Sequence, residues 1–187
     1  TLTTDDDAIP TKTWIQEHTN MHKQHQKIGI LGGIVIERSK IVNSPNSKCW
    51  EPFSYLLSVL DFHKPLLTSL KYYSEFVNDA GLFTCFKKGS NKETELSMGV
   101  MGVNMSFKSR YIDNFYLLGY SIKGFNYEAL LALHYIINNM HSVLFNGGTV
   151  IHIPRASIAR PKRKKDYIML VIERELLAYA IYKNGFN

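Results

Sequence analysis

Three histidines near the beginning of the sequence have the spacing of a metal site. His18, His22 and His25 stand at positions i, i+4 and i+7, so a helix through them would carry all three imidazoles on one face. Three imidazoles are a suitable ligand set for zinc or copper. The competing interpretation is a polar segment whose histidines titrate in water, because no acidic or cysteine ligand has a fixed place near them. On ligand count we predict neither a bound metal nor a cofactor, and we keep these histidines as the candidate ligands.

Cysteine and histidine together raise a second chemistry, nucleophilic catalysis, which needs a base within hydrogen-bond reach of the nucleophile. Cys49 or Cys85 could form such a pair with His63 or His152 only if the fold brings them together. We expect His134 to bond to a backbone carbonyl instead. The sequence has no Gly-x-Ser-x-Gly, Cys-x-x-Cys or His-Glu-x-x-His motif. A small Cys/His enzyme is therefore one alternative, and the prediction is that the chain is not an enzyme.

The densest chemistry in the chain is cationic. Six basic residues fall within eleven positions, and they are Arg155, Arg160, Lys162, Arg163, Lys164 and Lys165. Near an anionic bilayer each exposed Lys or Arg contributes about 1 kcal/mol of attraction. The same charges would neutralise phosphates of RNA or DNA, without base stacking, because no aromatic residue is interleaved with them.

Two further interpretations apply to this basic run. The segment from Lys162 to Lys165, which includes Arg163 and Lys164, has the composition that nuclear import receptors recognise. The other interpretation is a solvated charged loop without any partner. A formal net charge of +6 and a pI of about 9.2 favour anionic partners in general.

Composition and length indicate one soluble globular unit. The 187 residues can bury a sizeable core, and no apolar run reaches the ~18–20 residues that span a bilayer. Two cysteines are too few for a disulfide scaffold, so we expect a reducing compartment with both thiols buried or free. The first ten residues are polar and acidic and have no secretory apolar region.

The elements that must position these groups are predicted from periodicity and turn residues. Residues 1–27 are predicted as a flexible polar arm, with Asp5-Asp6-Asp7 in its tail and Trp14 and Ile15 as apolar anchors for self-association. Residues 28–187 are predicted as a single α+β domain with a mainly antiparallel sheet and two to three packed helices. The predicted strands are Ile28–Ile36, Leu82–Phe86, Met101–Phe107, Tyr116–Ile122, Gly148–Pro154 and Tyr167–Arg174. The predicted helices are Pro52–Phe62, Pro65–Val77 and Asn126–Met140.

The glycines of the first of these strands do not form a nucleotide-binding motif. The spacing Gly29-x-x-Gly32-Gly33 is neither a dinucleotide fingerprint nor a P-loop. Glycine inside a strand more often marks a bulge or a close approach of another group to the backbone, and we expect one of the two here.

The order of elements resembles that of rhabdovirus matrix proteins, the small basic proteins that bridge nucleocapsid and envelope. That family has a flexible charged arm, a strand, two helices, sheet strands, a helix and a closing strand pair. The corresponding segments here are Thr1–Lys27, Ile28–Ile36, Pro52–Phe62 with Pro65–Val77, Leu96–Ile122, Asn126–Met140 and Thr149–Arg174. The family's proline-proline-x-tyrosine budding motif does not occur in these 187 residues. The resemblance implies self-association, membrane attachment and nucleocapsid condensation without catalysis.

The first hypothesis is therefore a viral matrix-like structural protein that forms homo-oligomers and bridges an anionic membrane and a nucleocapsid. Its expected places are the virion, the inner face of the host membrane and the cytoplasm. A nuclear import receptor and the nucleus are added if the basic run acts as a transport signal. The second hypothesis is a nucleic-acid-binding module that uses residues 155–165 on RNA or DNA.

Overall fold

The structure, a computed structural model, describes residues 1–50, 64–79, 81, 83–87, 92–113, 115, 127–153, 164–165, 168–169, 172 and 176–183. Within them the fold is α+β, as predicted, and most strand pairs are antiparallel. The strands are β1 (Leu2–Thr4), β2 (Ala8–Pro10), β3 (Ile28–Gly32), β4 (Val35–Glu37), β5 (Lys40–Asn43), β6 (Cys49–Trp50), β7 (Glu75–Val77), β8 (Phe83–Lys87), β9 (Thr94–Leu96), β10 (Asn104–Phe107), β11 (His141–Phe145) and β12 (Val150–His152). The helices are α1 (Trp14–Gln24), α2 (Tyr127–Ile137) and α3 (Leu177–Lys183), with short 3-10 helices at Thr68–Tyr72 and Ser109–Tyr111.

The strands form three sheets. A five-stranded sheet has the order β1-β10-β3-β11-β9, a four-stranded sheet has the order β2-β12-β4-β5, and a three-stranded sheet has the order β6-β8-β7. The pairs β3/β11 and β4/β12 are parallel. The predicted single strand Ile28–Ile36 is thus two strands in different sheets, and Gly33 and Ile34 make the step between them by bonding to Asn104 and Gly147.

The central position of β3 in the five-stranded sheet explains why its sequence is so apolar. All five residues of β3 are buried, because β10 and β11 flank it and α2 packs against it. A Cβ atom at Gly29 would lie 2.4 Å from Cδ1 of Tyr135, so only glycine lets the α2 aromatic ring approach the strand. This confirms the expected close approach. The helix α2 is buried along most of its length, which makes it the most buried of the described helices, as its wide apolar stripe predicts.

Residues 1–27 are not a flexible arm. The strand β1 pairs with β10, and β2 pairs with β12, so this segment is an edge of two sheets. The helix α1 buries Trp14, His18 and Met21, at i, i+4 and i+7. The polar composition hid this, because two of its inward positions are a histidine and an amphipathic Trp, whose polar atoms are satisfied inside the fold.

Two other element predictions are wrong. The predicted helix Pro65–Val77 is the 3-10 helix Thr68–Tyr72 followed by β7, and Pro65 itself forms a bridge with Asn78. In the predicted strand Tyr167–Arg174, the described residues Ile168, Met169 and Ile172 are helical. The Leu176 N–H donates to the Ile172 carbonyl, four residues earlier, as in an α-helix. A short apolar run does not distinguish a strand from a buried helix. The predicted elements Pro52–Phe62 and Tyr116–Ile122 lie outside the described residues.

The one cysteine whose side chain the structure describes is in a disulfide bond. Cys85, on β8, is disulfide-bonded, so the expectation of a free thiol at this position is wrong. No helix in the described part of the chain combines the length and the hydropathy that crossing a bilayer requires.

Candidate functional site

Most of the basic run lies outside the described residues, namely Arg155, Arg160, Lys162 and Arg163. Lys164 and Lys165 are described, and both are helical and exposed. The predicted strand pair with a cationic loop between its members is therefore wrong on its C-terminal side. The exposed lysines are instead part of a helical segment.

The two residues predicted for self-association have different environments. Trp14 is 8% exposed and its Nε1–H donates to Oδ1 of Asn104 at 2.8 Å, so this ring belongs to its own core. It cannot serve as an anchor in a neighbouring copy while that core is intact. Ile15 is 66% exposed and lines a cleft of about 500 Å³ beside α1. Only Ile15 of this pair keeps an available surface.

A buried polar network joins α1 to the two larger sheets, with Asn104 at its centre. Asn104 is fully buried on β10, and its Nδ2 donates to the carbonyls of Ile34 at 2.8 Å and Gly148 at 2.6 Å. Its Oδ1 accepts from Trp14 and lies 3.1 Å from Nε2 of His18. Because Oδ1 can only accept, Nε2 of His18 carries the proton in this bond.

The network continues through Ser106 to a second histidine. Nδ1 of His18 lies 2.7 Å from Oγ of Ser106, and Nε2 of His22 lies 2.9 Å from the same oxygen. Burial lowers the pKa of His18 to about 4. Burial, followed by the charge of Lys108, also lowers the pKa of His22. Both imidazoles are therefore neutral at pH 7, and Ser106 donates to Nδ1 of His18 and accepts from His22.

The three candidate histidines are not brought together as a ligand set. His18 uses both ring nitrogens inside the protein, and Ser106 lies against both imidazoles. His25 lies beyond the end of α1 and lines a different cleft, together with His141. The spacing argument fails because the helix ends at Gln24, before the third histidine.

The cleft beside α1 carries positive charge at its surface. Lys23 on α1 and Lys108 and Arg110 after β10 line it, together with His22 and Ser106. No acidic residue is among the described residues that line it. Lys108 donates to the carbonyl of Gln26, and burial followed by the charge of Arg110 lowers the pKa of Lys108. These side chains form a second cationic surface, distinct in sequence from the basic run.

The four-stranded sheet exposes a row of isoleucines. Ile9, Ile151, Ile36 and Ile41 are register partners across β2, β12, β4 and β5, and we call them the isoleucine row. Ile9 is 54% exposed, Ile151 48% and Ile41 53%. The adjacent positions Val35 and Val150 point to the other face and are fully buried. The solvent face of a sheet is normally polar, so this exposed apolar row is a candidate interaction surface.

A cluster of acidic side chains and a histidine lies where the chain passes from β1 to β2. Nε2 of His152 is 3.3 Å from Oδ1 of Asp7, and Nδ1 of His152 is 3.6 Å from Oε1 of Glu37. Asp5 is close enough that one ligand atom each from Asp5, Asp7 and His152 lie within 4.8 Å of one another. Burial, followed by the charge of Asp7, raises the pKa of Asp5.

The Cys/His enzyme alternative gains no support from the described residues. The ring nitrogens of His152 face two carboxylates, and Cys85 is disulfide-bonded and has no thiol to offer. His63 and the side chain of Cys49 lie outside the described residues. His134 lies 2.5 Å through Nε2 from the carbonyl oxygen of Tyr111, which confirms the predicted backbone bond.

Sequence reasoning missed the residues that organise these sites. Asn104 and Ser106 alternate with apolar residues, which predicts a half-buried strand, yet both faces of β10 are buried. Asp5 and Asp7 were assigned to a tail. The sequence did contain one signal. Asn104 and Ser106 stand at i and i+2, on one face of a strand, and His18 and His22 stand at i and i+4, on one face of α1. Two such polar faces can pair with each other. Comparison of the chain with protein-family models, curated proteins and solved structures finds no match.

Proposed function

We propose that the protein is a structural protein of the matrix type, which self-associates and attaches to an anionic membrane through basic surface groups. The observation that supports self-association is the isoleucine row. Four isoleucines in register across four strands form an apolar band about 15 Å long, given the ~4.8 Å spacing of strands.

A second copy of the same sheet fits this row better than a lipid surface does. The four strands contain one basic and one acidic residue, Lys40 and Glu37, and these two are register partners. The face therefore has no cationic excess to attract acidic lipid. Two such sheets can pack face to face about 10 Å apart with interdigitated side chains, and a two-fold axis would make the contact self-complementary.

The self-association prediction is tested by sedimentation. We expect the wild-type chain to form dimers or larger species at about 100 μM, where a contact of about −5.5 kcal/mol is half formed. Ile151→Lys should weaken this association about tenfold or more, because it removes about 2 kcal/mol of apolar burial per copy and places like charges together. Ile137→Lys, at a 42% exposed isoleucine on α2, is the matched control and should associate normally. A wild-type chain that stays monomeric, or equal association of both variants, would contradict the proposal.

The membrane part of the proposal depends on charge. Lys164 and Lys165 are exposed, and the cleft cations Lys23 and Arg110 provide further positive surface. Because each exposed basic residue contributes about 1 kcal/mol near acidic lipid, reversing one charge should weaken binding at least about fivefold. The attraction is screened by salt and should fall steeply as ionic strength rises.

Liposome sedimentation with charge-reversal variants measures this binding. Reversal of Lys162, Arg163, Lys164 and Lys165 together should abolish salt-sensitive binding to phosphatidylserine vesicles, and Lys23→Glu with Arg110→Glu should weaken it. Lys12→Glu with Lys92→Glu, at two exposed lysines, is the control for net charge alone. Unchanged binding after the fourfold reversal would remove the basis for membrane attachment. An RNA competitor that displaces the vesicles at every salt concentration would favour the nucleic-acid hypothesis instead.

A further inference from the structure

We propose that Asp5, Asp7 and His152 form a binding site for a divalent transition-metal ion of the zinc type. The three residues come from the turn between β1 and β2 and from the end of β12. An imidazole nitrogen with two carboxylate oxygens is a donor set that Zn²⁺ accepts, and it leaves a fourth position open to water.

The distances agree with this coordination. Two ligands of a tetrahedral zinc ion, each at about 2.0–2.1 Å, stand about 3.3 Å apart. Nε2 of His152 and Oδ1 of Asp7 are 3.3 Å apart, and the ligand atoms of all three residues lie within 4.8 Å of one another. Asp5 belongs to the same group, and we expect movement of its side chain to bring the third ligand to the ion.

A carboxylate lies near the second ring nitrogen of His152, on the side where metal-binding histidines commonly have one. Histidines that bind metals usually donate their second ring N–H to a carboxylate, which selects the tautomer and raises the basicity of the ligating nitrogen. Glu37 lies near that place, since its Oε1 is 3.6 Å from Nδ1 of His152, just beyond hydrogen-bond distance. The strand register supports the arrangement, because Glu37 and His152 are partners in the parallel β4/β12 pair and Ala8, next to Asp7, is the partner of His152 on β2.

The backbone around the site is already ordered. The Ile153 N–H donates to the Asp7 carbonyl at 2.8 Å, and the Ala8 N–H donates to the Asp5 carbonyl at 3.2 Å, so the turn is held on both sides. The ion would connect this turn, which joins two sheets, to the end of β12. The competing explanation is that His152 pairs only with the two flanking carboxylates, and it predicts no metal binding.

Equilibrium dialysis of the folded chain against Zn²⁺, followed by metal analysis, tests the site. We expect one bound equivalent in the wild type, and a loss of affinity of at least about tenfold in Asp7→Asn and in His152→Gln. Glu37→Gln should cost about ten- to a hundredfold, as is usual for a carboxylate that supports a ligating histidine. His25→Gln and His141→Gln, at two exposed histidines of a separate cleft, should bind as the wild type does.

A second measurement keeps the inference testable if one variant folds poorly. Zn²⁺ should raise the thermal unfolding midpoint of the wild type and of His25→Gln, and leave that of Asp7→Asn, which has nearly the same shape as wild type, unchanged. A wild type that binds no Zn²⁺, or one whose binding survives both Asp7→Asn and His152→Gln, overturns the proposal. Loss of binding only in His25→Gln or His141→Gln would place the metal in the other cleft and also overturn it.

Discussion

Acidification is expected to lower the free energy of unfolding by about 3 kcal/mol through His18 alone. The pKa of His18 falls from an ordinary value of 6.5 to about 4, because burial between α1 and β10 disfavours the charged imidazole. The hydrogen bond to Asn104 opposes this effect, and the charge of His22 adds to it. A difference of about 2.5 pH units at about 1.4 kcal/mol per unit gives this value.

The sign follows from which state binds the proton. Between pH 6.5 and about 4 the unfolded chain carries a protonated His18 and the folded chain does not. The contribution of His18 to the free energy of unfolding is therefore fully present above pH 6.5 and is lost as the pH falls toward about 4. His22, whose pKa burial also lowers, adds a loss in the same direction. A protonated His18 would present a second N–H to Ser106, whose own hydroxyl proton would then have no acceptor in this bond.

Urea unfolding at a series of pH values measures the effect. The wild type should lose stability steeply between pH 6.5 and about 4, whereas His18→Gln should show a flatter profile from a lower starting stability. His25→Gln, at an exposed histidine after α1, should keep the wild-type profile. Titration of the His18 ring by NMR gives the folded-state pKa directly, and a value near 6.5 would contradict the prediction.

The fold class was predictable because its signals are local. The β-branched run Ile28–Gly32 and the wide apolar stripe of α2 each exceed what a surface element shows, and both are buried as expected. The same local logic failed at Pro65–Val77. Leu70, Tyr73 and Val77 have helical spacing and are all buried, yet two short elements and a pairing with β8 bury them instead. The prediction that these residues are buried was correct, but pairing with the next strand, β8, gives the segment a strand conformation where a helix was predicted.

The candidate sites were hardly predictable, because their members are far apart in sequence. Asp7 and His152 meet only because β2 pairs with β12, and the isoleucine row exists only in the register of four strands from three separate regions. Periodicity within one strand does not show which face is covered. Ile9 and Ile151 have the same residue type and strand context as buried isoleucines such as Ile30, and differ only in what packs against them.

The cationic cleft and the isoleucine row are connected by one hydrogen-bond network. The polar network around Asn104 connects α1, which carries the cleft cation Lys23, to the strands that carry the isoleucine row, through Ile34 next to β4 and Gly148 before β12. Glu17 on α1 accepts from Thr13 at 2.6 Å and from the Gly148 N–H, which lowers the pKa of Glu17. Gly148 has a φ of +56°, and its N–H and carbonyl are both bonded to this network. Loss of the network should therefore affect the whole molecule and not one site.

Replacement of Asn104 is expected to lower the free energy of unfolding by about 3 kcal/mol or more. Asn104→Ala leaves three groups without this partner, namely the Trp14 Nε1–H, the His18 Nε2–H and the Gly148 carbonyl. The Ile34 carbonyl also loses a bond but still accepts from the Val150 N–H. Each buried group without a partner costs about 1–3 kcal/mol, so three together reach this range even if water compensates in part. Asn138→Ala is the matched control, because Asn138 is exposed and bonds only locally to the His134 carbonyl.

Denaturant unfolding of both alanine variants at pH 7.5 compares the two positions, and Asn104→Asp adds a test of mechanism. Aspartate keeps the acceptor for Trp14 and His18 but loses the amide donor, so it should still destabilise through the carbonyls of Ile34 and Gly148. The new carboxylate beside Nε2 should also raise the pKa of His18, which brings it nearer to the unfolded value and makes the loss of stability through His18 on acidification smaller. A loss of less than about 1 kcal/mol in Asn104→Ala, equal to that of a single exposed hydrogen bond, would show that the network is not what joins α1 to the sheets.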